Sequence, residues 1–268
     1  MINKKICFLG AGNMAEAIIS GLLKSRLVAP GNITACDIRK ERLSFLKKKY
    51  KITVESENIK AVSKSDVIFV SVKPKDVASL LCEISPGLSK NKVVVSIAAG
   101  ITIRSIEKEL RGIPVIRTMP NTPLMVGFGA IGLSKGRWAQ KKHLDLVSAL
   151  FSVSGKVVKL PESKLNAVTA LSGSGPAYVF YVCEAMEKAG ALMGLPKDVS
   201  KVLTIQTILG SAKMLELSGV PAQELRRRVT SPGGTTEAAV KYFEANKFED
   251  IFVRALRKAK DRAQELSK

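Results

Sequence analysis

Along the first 160 residues, short apolar runs alternate with segments whose apolar residues recur every three or four positions. The run Lys5-Ile6-Cys7-Phe8-Leu9 predicts a strand, and residues 13–24 carry a helical period. Ile33-Thr34-Ala35-Cys36 predicts the next strand, followed by a charged helix over 39–49. Val67-Ile68-Phe69-Val70 and Val93-Val94-Val95-Ser96-Ile97 are nearly unbroken apolar runs, the pattern of strands buried on both faces. Val115-Ile116 and Ala130-Ile131-Gly132-Leu133 extend the sheet. This alternation predicts an α/β fold built on a Rossmann-like, doubly wound parallel sheet.

After about residue 160 the β pattern stops. Helical periodicity covers 165–192, 196–217, 222–229, 235–245 and 248–266. Pro196 and Pro221 suit first turns, and Gly194 and Gly219 suit helix ends. The expected organisation is a dinucleotide-binding domain over 1–160 and an all-α domain over 161–268, with the boundary near Lys159-Leu160-Pro161. The apolar helices exceed what a domain of that size covers alone, which predicts a homo-oligomer, a dimer or a ring of dimers.

Composition narrows the picture. Hydrophobic residues make up 46% of the 268, enough for sizeable cores. No apolar run approaches the roughly 18 residues needed to cross a bilayer, and the N-terminus lacks a signal-peptide core, so a cytoplasmic protein is expected. Cys7, Cys36, Cys82 and Cys183 lie far apart in apolar stretches with no C-x-x-C pair, which predicts reduced, buried thiols and no metal site. The single histidine, His143, sits in a polar helical stretch and is read as structural or solvent-facing. A net charge of +20 raises nucleic acid as a partner. The basic runs are scattered, however, and aromatics at 5% do not interleave with them as stacking would require. The expectation is a basic surface that attracts an anionic cofactor, with no nucleic-acid or membrane partner.

Three segments carry candidate chemistry. Gly10-Ala11-Gly12-Asn13-Met14-Ala15 is a G-x-G-x-x-A that closes the first strand and opens the first helix, the arrangement that seats a pyrophosphate. Asp37 ends the second strand about 20 residues beyond Ala15, where an acid accepts hydrogen bonds from an adenosine ribose and favours NAD. Arg39, Lys40 and Arg42 follow and suit a 2′-phosphate, or else form a solvated helix face. Ser231-Pro232-Gly233-Gly234-Thr235-Thr236 runs into a helix and offers backbone amides to a carboxylate, unless the threonines serve only as N-caps.

Six motifs taken together resemble pyrroline-5-carboxylate reductase. They are the glycine turn, Ser71-Val72-Lys73-Pro74, Ser96-Ile97-Ala98-Ala99-Gly100, Arg117-Thr118-Met119-Pro120-Asn121-Thr122-Pro123, Leu171-Ser172-Gly173-Ser174-Gly175-Pro176-Ala177-Tyr178, and Val229 through Thr236. The resemblance implies reduction of 1-pyrroline-5-carboxylate to L-proline, the last step of proline biosynthesis, with NADPH preferred and NADH possible. It places Gly10 to Ala15 on the pyrophosphate and Asp37 with Arg39 at the adenosine end. Asn58, Ser71, Val72, Lys73, Pro74, Ile97, Ala98 and Ala99 would line the rest of the cofactor groove. Gly234, Thr235 and Thr236 would hold the substrate carboxylate, Thr236 would support the imine nitrogen, and Glu162 would stand near the nicotinamide. The chain departs from the family at Arg226-Arg227-Arg228, where an acid is common, and at Asn166, often Asp. A β-hydroxy-acid reductase of related fold would need a lysine in a glycine-rich motif, which the chain lacks. A silent dinucleotide-binding regulator would not need the loop at 231–236.

Overall fold

The computed structural model describes residues 1–267. It opens with β1 (Ile6–Leu9), α1 (Asn13–Lys24), β2 (Ile33–Cys36), α2 (Lys40–Tyr50), β3 (Thr53–Glu55) and α3 (Asn58–Ser63). There follow β4 (Val67–Val70), α4 (Val77–Ile84), β5 (Val93–Ser96), α5 (Ile103–Glu109) and β6 (Val115–Met119). β7 (Gly129–Lys135), α6 (Lys141–Ser152) and β8 (Gly155–Lys159) complete the sheet region. The helical region holds α7 (Leu165–Val168), α8 (Gly175–Leu192), α9 (Lys197–Ser218), α10 (Ala222–Arg228), α11 (Thr235–Ala245) and α12 (Phe248–Glu265).

One eight-stranded sheet runs in the order β3-β2-β1-β4-β5-β6-β7-β8. Side chains alternate across it as the pleat requires. Ile6 and Phe8 face Ile18, Ile19 and Leu22 of α1 and Leu150 and Phe151 of α6, whereas Cys7 and Leu9 face Val62, Leu80, Leu81 and Ile106. Phe8 stacks on Phe69 at 4.6 Å, and Phe69 meets Phe151 edge-on at 5.9 Å. Two buried faces explain why β1, β4 and β5 read as unbroken apolar runs.

The sheet departs from the expected all-parallel form in one pair. β7 runs antiparallel to β6, with Thr118 opposite Leu133, and β8 then pairs parallel with β7. The expected helix over 165–192 is also broken. A wider π turn spans Thr169–Gly173, where Thr169 Oγ1 donates to Leu165 O and Ser172 Oγ donates to Val168 O. Hydroxyls bonded back to the preceding turn loosen the regular ladder, and Gly173 and Gly175 add little propensity to restore it. Asn121, buried, braces this turn. Its Nδ2 donates to Ser172 O at 3.0 Å, and its Oδ1 accepts from Ala130 N at 2.9 Å.

The chain forms two compact units. One comprises residues 1–174 with the stretch from Ala259 onward, and the other comprises Gly175–Lys258. The segment after β8 packs on the sheet, where Leu165 and Val168 lie against Gly132, and this carries the first compact unit on to Ser174. The end of α12 covers the loop after β5, with Leu266 O only 2.5 Å from where a Cβ on Gly100 would stand. Ser267 Oγ donates to Asn166 Oδ1 at 3.3 Å. In the second unit α8, α9, α11 and α12 leave large apolar side chains uncovered, among them Leu192 at 80%, Tyr181 at 74% and Val202 at 65% exposure. Among the described residues no helix is long and apolar enough to cross a membrane.

Candidate active site

In a doubly wound sheet, the crevice lies where the strand order reverses, outside the carboxyl ends of the strands. Here that is between β1 and β4, and the sequence shapes it closely. Gly10 follows β1 at φ +90°, and a Cβ there would lie 2.7 Å from Ser71 O, just beyond β4. Only glycine allows both the dihedral and that approach. Gly12 has the opposite surroundings: a Cβ there would meet nothing within 4 Å. It is the N-cap of α1 with no side chain capping it. Gly10 N donates to Cys36 O and Ala11 N to Asp37 Oδ2. The amides left for an anion are therefore those of Gly12, Asn13, Met14 and Ala15, at the positive end of a twelve-residue helix. Ser71 Oγ is buried there without a hydrogen-bond partner. An open glycine cradle, an uncapped helix end and an orphaned hydroxyl together fit a dinucleotide pyrophosphate.

Asp37 serves a purpose beyond the expected ribose contact. Its side chain is only 7% exposed, and four donors converge on it. Ala11 N gives to Oδ2 at 2.9 Å and Arg39 N to Oδ1 at 3.0 Å, while Arg39 Nε and Nη2 add a fork at 2.9 and 3.0 Å. Burial opposes the charge, but the hydrogen bonds from Arg39 and Ala11 outweigh it and hold the carboxyl near a pKa of about 2. That value lies below the ordinary 3.8, so the stability Asp37 contributes is fully present above pH ~4 and is lost as pH falls toward 2. Urea midpoints measured from pH 5 to 2.5 should fall more steeply for the wild type than for Asp37→Asn, with the two curves converging at the acid end. Parallel curves would mean that Asp37 is not held this way.

Arg39 is itself exposed, beside Ile38 at 98% exposure, and Lys40 is exposed next to it. Arg42 differs from the expected solvent-side cation, because it is turned back onto the carbonyls of Ala11 and Gly12. Of the remaining groove candidates, Lys73, Pro74 and Ala99 are exposed, and Val72 and Ile97 are half-buried. Ala98 is buried with its N–H on Ser96 Oγ at 3.3 Å. Asn58 Nδ2 donates to both carboxylate oxygens of Glu83, at 3.2 and 3.1 Å.

Glu162 lies in the first unit, where Oε1 accepts from Ile103 N at 2.7 Å and from the buried Arg117 Nη1 at 2.8 Å. One carboxylate oxygen thus ties the start of α5 to β6. His143 Nδ1 accepts from Gln140 N at 3.0 Å in a capping box, and burial lowers its pKa, so it is structural. Burial pushes the Cys7 and Cys36 thiols up to about 12. Cys82 and Cys183 depart from the expectation of burial: Cys183 is half-buried, and Cys82, on α4, is exposed with Glu109 Oε2 3.6 Å from its sulfur. Among the described residues no group of His, Cys, Asp and Glu could hold a metal ion.

Gly234, Thr235 and Thr236 belong to the second unit. Gly234 is the N-cap of α11 and its N–H donates to Ser231 O at 3.0 Å. Gly233, at φ +71°, gives its N–H to Glu237 Oε2 at 2.8 Å. The donors that remain are the first-turn amides of Thr235, Thr236 and Glu237. Neither threonine is the N-cap, and neither hydroxyl has a partner among the described residues. Arg227 and Arg228 pair with Glu224, and Arg226 with Glu244, so the triple-arginine run is partly neutralised beside this loop.

Comparison with known proteins closes the question of family. Residues 162–266 match the family model for pyrroline-5-carboxylate reductase dimerisation, and residues 5–100 match that for coenzyme F420-dependent NADP oxidoreductases. A pyrroline-5-carboxylate reductase of Pseudomonas aeruginosa is 42% identical over 269 residues, covering 100% of this chain and 98% of that one. The enzyme of Corynebacterium melassecola is 40% identical, with 98% of each chain covered. The structure of the Coxiella burnetii enzyme superposes with a TM-score of 0.95 at 36% identity, and each chain is covered fully. The Plasmodium falciparum enzyme, solved with NADP bound, gives 0.90 at 30% identity, again over the whole of both chains. With these likenesses running from end to end, the chain belongs to the pyrroline-5-carboxylate reductase family.

Proposed function

We infer that the chain reduces 1-pyrroline-5-carboxylate to L-proline, the last step of proline biosynthesis, using NADPH and, less well, NADH. The observation that carries this is the open cradle at Gly12 and α1 on the same chain as the uncapped helix end at Thr235–Thr236. The first suits a pyrophosphate and the second a small carboxylate. The nicotinamide, when bound, supplies the hydride. The amides of Gly12 to Ala15 hold the pyrophosphate, and Arg39 with Lys40 meets the 2′-phosphate. The amides of Thr235 and Thr236 orient the substrate carboxylate, and the protonated imine N–H donates to Thr236 Oγ1. No strong general acid is needed, because a cyclic imine can arrive protonated; the protein contributes positioning. Loss of reduced-nicotinamide absorbance that depends on pyrroline-5-carboxylate tests the reading directly, and its absence with correctly folded protein would defeat it.

The protein is a homo-oligomer, and the uncovered apolar side chains of α8, α9, α11 and α12 supply the surface for pairing. A cytoplasmic site of action belongs to the proposal and is supported by four free cysteines, which suit a reducing compartment.

Cofactor choice rests on Arg39 and Lys40. Replacing both by Ser should raise KM for NADPH and leave KM for NADH nearly unchanged. The Arg39 fork also neutralises Asp37, whose charge would otherwise repel a 2′-phosphate. Equal effects on the two cofactors in steady-state kinetics would remove these residues from the recognition of the 2′-phosphate.

A further inference from the structure

Three cations follow Asp37, and one of them does not face solvent. Arg42 stands on the first turn of α2, yet its Nε donates to Ala11 O at 2.6 Å, and its Nη2 approaches Gly12 O at 3.4 Å. The same Nη2 pairs with Glu16 Oε2, and both side chains are only 18% exposed. Glu16 lies in the first turn of α1, and its other oxygen accepts from Lys49 Nζ at 3.0 Å and Tyr50 Oη at 2.9 Å. Both ends of α2 are therefore fastened to the start of α1.

We propose that Arg42 and Glu16 are positioning residues that hold the Gly10–Ala15 turn in its anion-binding shape, and that Arg42 does not read the 2′-phosphate. The proposal rests on the cofactor reading above and adds to it a pair of residues outside the crevice. A turn that directs its amides at a pyrophosphate must direct its carbonyls the other way. Those of Ala11 and Gly12 are then taken by a guanidinium, whose fork resists rotation of either peptide. Asp37 holds the Ala11 N–H from the other side, so one residue of the turn is gripped at both of its backbone polar groups. Glu16 positions the guanidinium. Its own negative charge, close to where a dianion would sit, is offset by Arg42 and Lys49.

The test is calorimetric titration of the full-length protein with NADP+ and with NAD+, alongside hydrogen exchange of amides 10–16 without ligand. Arg42→Gln should weaken both dinucleotides by the same factor, about tenfold or more, as expected for losing hydrogen bonds from a charged group. Exchange at Gly10, Ala11 and Glu16, the amides of the turn that are hydrogen-bonded without ligand, should quicken. Arg42→Lys keeps a charge for Glu16 but not the fork, so it should fall between wild type and Arg42→Gln; it carries the same comparison if the glutamine variant does not fold. Arg39→Ser, by contrast, should change the ratio of the two affinities. Weakening of NADP+ alone would make Arg42 a phosphate reader and overturn the proposal, as would unchanged binding of both or unchanged exchange. Failure of the wild type to bind either dinucleotide would strike the functional reading instead, and is seen before any variant is compared.

Discussion

Thr236→Val is expected to lower kcat/KM for pyrroline-5-carboxylate by about ten- to a hundredfold, the consequence of removing a hydrogen bond to a charged group worth about 1.5–3 kcal/mol. Turnover should fall more than KM rises if the hydroxyl, which accepts from the iminium N–H in the bound substrate, turns to donate to the lone pair that develops on nitrogen as it becomes an amine. The fold makes the substitution a clean one. Thr236 occupies the second position of α11, Gly234 is the cap, and the hydroxyl bonds to nothing else among the described residues. Valine is close in shape and similar in helix propensity, so stability should stay within about 0.5 kcal/mol. Thr236→Ser, which keeps the hydroxyl, should retain most of the activity. Kinetics and thermal midpoint measured on one preparation decide the matter. A lower midpoint with unchanged kinetics would return Thr236 to a structural role.

The second large effect separates two glycines of one motif. Gly10→Ala must place a side chain at φ +90° and 2.7 Å from the Ser71 carbonyl, neither of which backbone packed between β1 and β4 can relieve. The strain and the collision together should cost about 3 kcal/mol or more. Gly12→Ala meets open space at φ −69°, so stability should stay within about 1 kcal/mol. Its methyl group then stands where the pyrophosphate would approach, and affinity for NADP+ should fall by at least about tenfold. Chemical denaturation and titration of both variants read the contrast. Equal stability losses would mean that the two glycines are not serving different ends.

The outcome shows which physical signals lie within reach of sequence reading. β1, β2, β4 and β5 were legible because burial on both faces imposes an apolar run. β3 and β8 were not, since edge strands such as Thr53–Glu55 and Gly155–Lys159 are half exposed and carry mixed residues. The antiparallel sense of β7 leaves no local trace, because strand direction is a property of the connection. The π turn at Thr169–Gly173 did have a signal in Ser172-Gly173-Ser174-Gly175, overshadowed by the apolar period on either side. Among the candidate site residues, the glycine turn was legible from backbone requirements alone, whereas the loop at 231–236 left the N-cap alternative open and took its expected role from the family resemblance. Asp37 and Arg42 were found as charges but not as braces. Their partners, Ala11 and Gly12, lie far back in the chain and act through backbone atoms that no residue type announces.

The discontinuous first unit sets an order on assembly. The contacts of Leu266 with Gly100 and of Ser267 with Asn166 bridge long stretches of chain, and the whole of Gly175–Lys258 is inserted between the parts they join. Contacts of such sequence separation are paid for late, after local and sheet pairings have formed. During synthesis the sheet can therefore gather its strands early, while the loop after β5 waits, uncovered, until the last helix has emerged. A chain cut near residue 160 would lack both the segment after β8 and this closing turn. It would uncover the surfaces around Gly132 and Gly100 at once, and would therefore be a fragment of the nucleotide-binding unit, with part of its sheet face left bare.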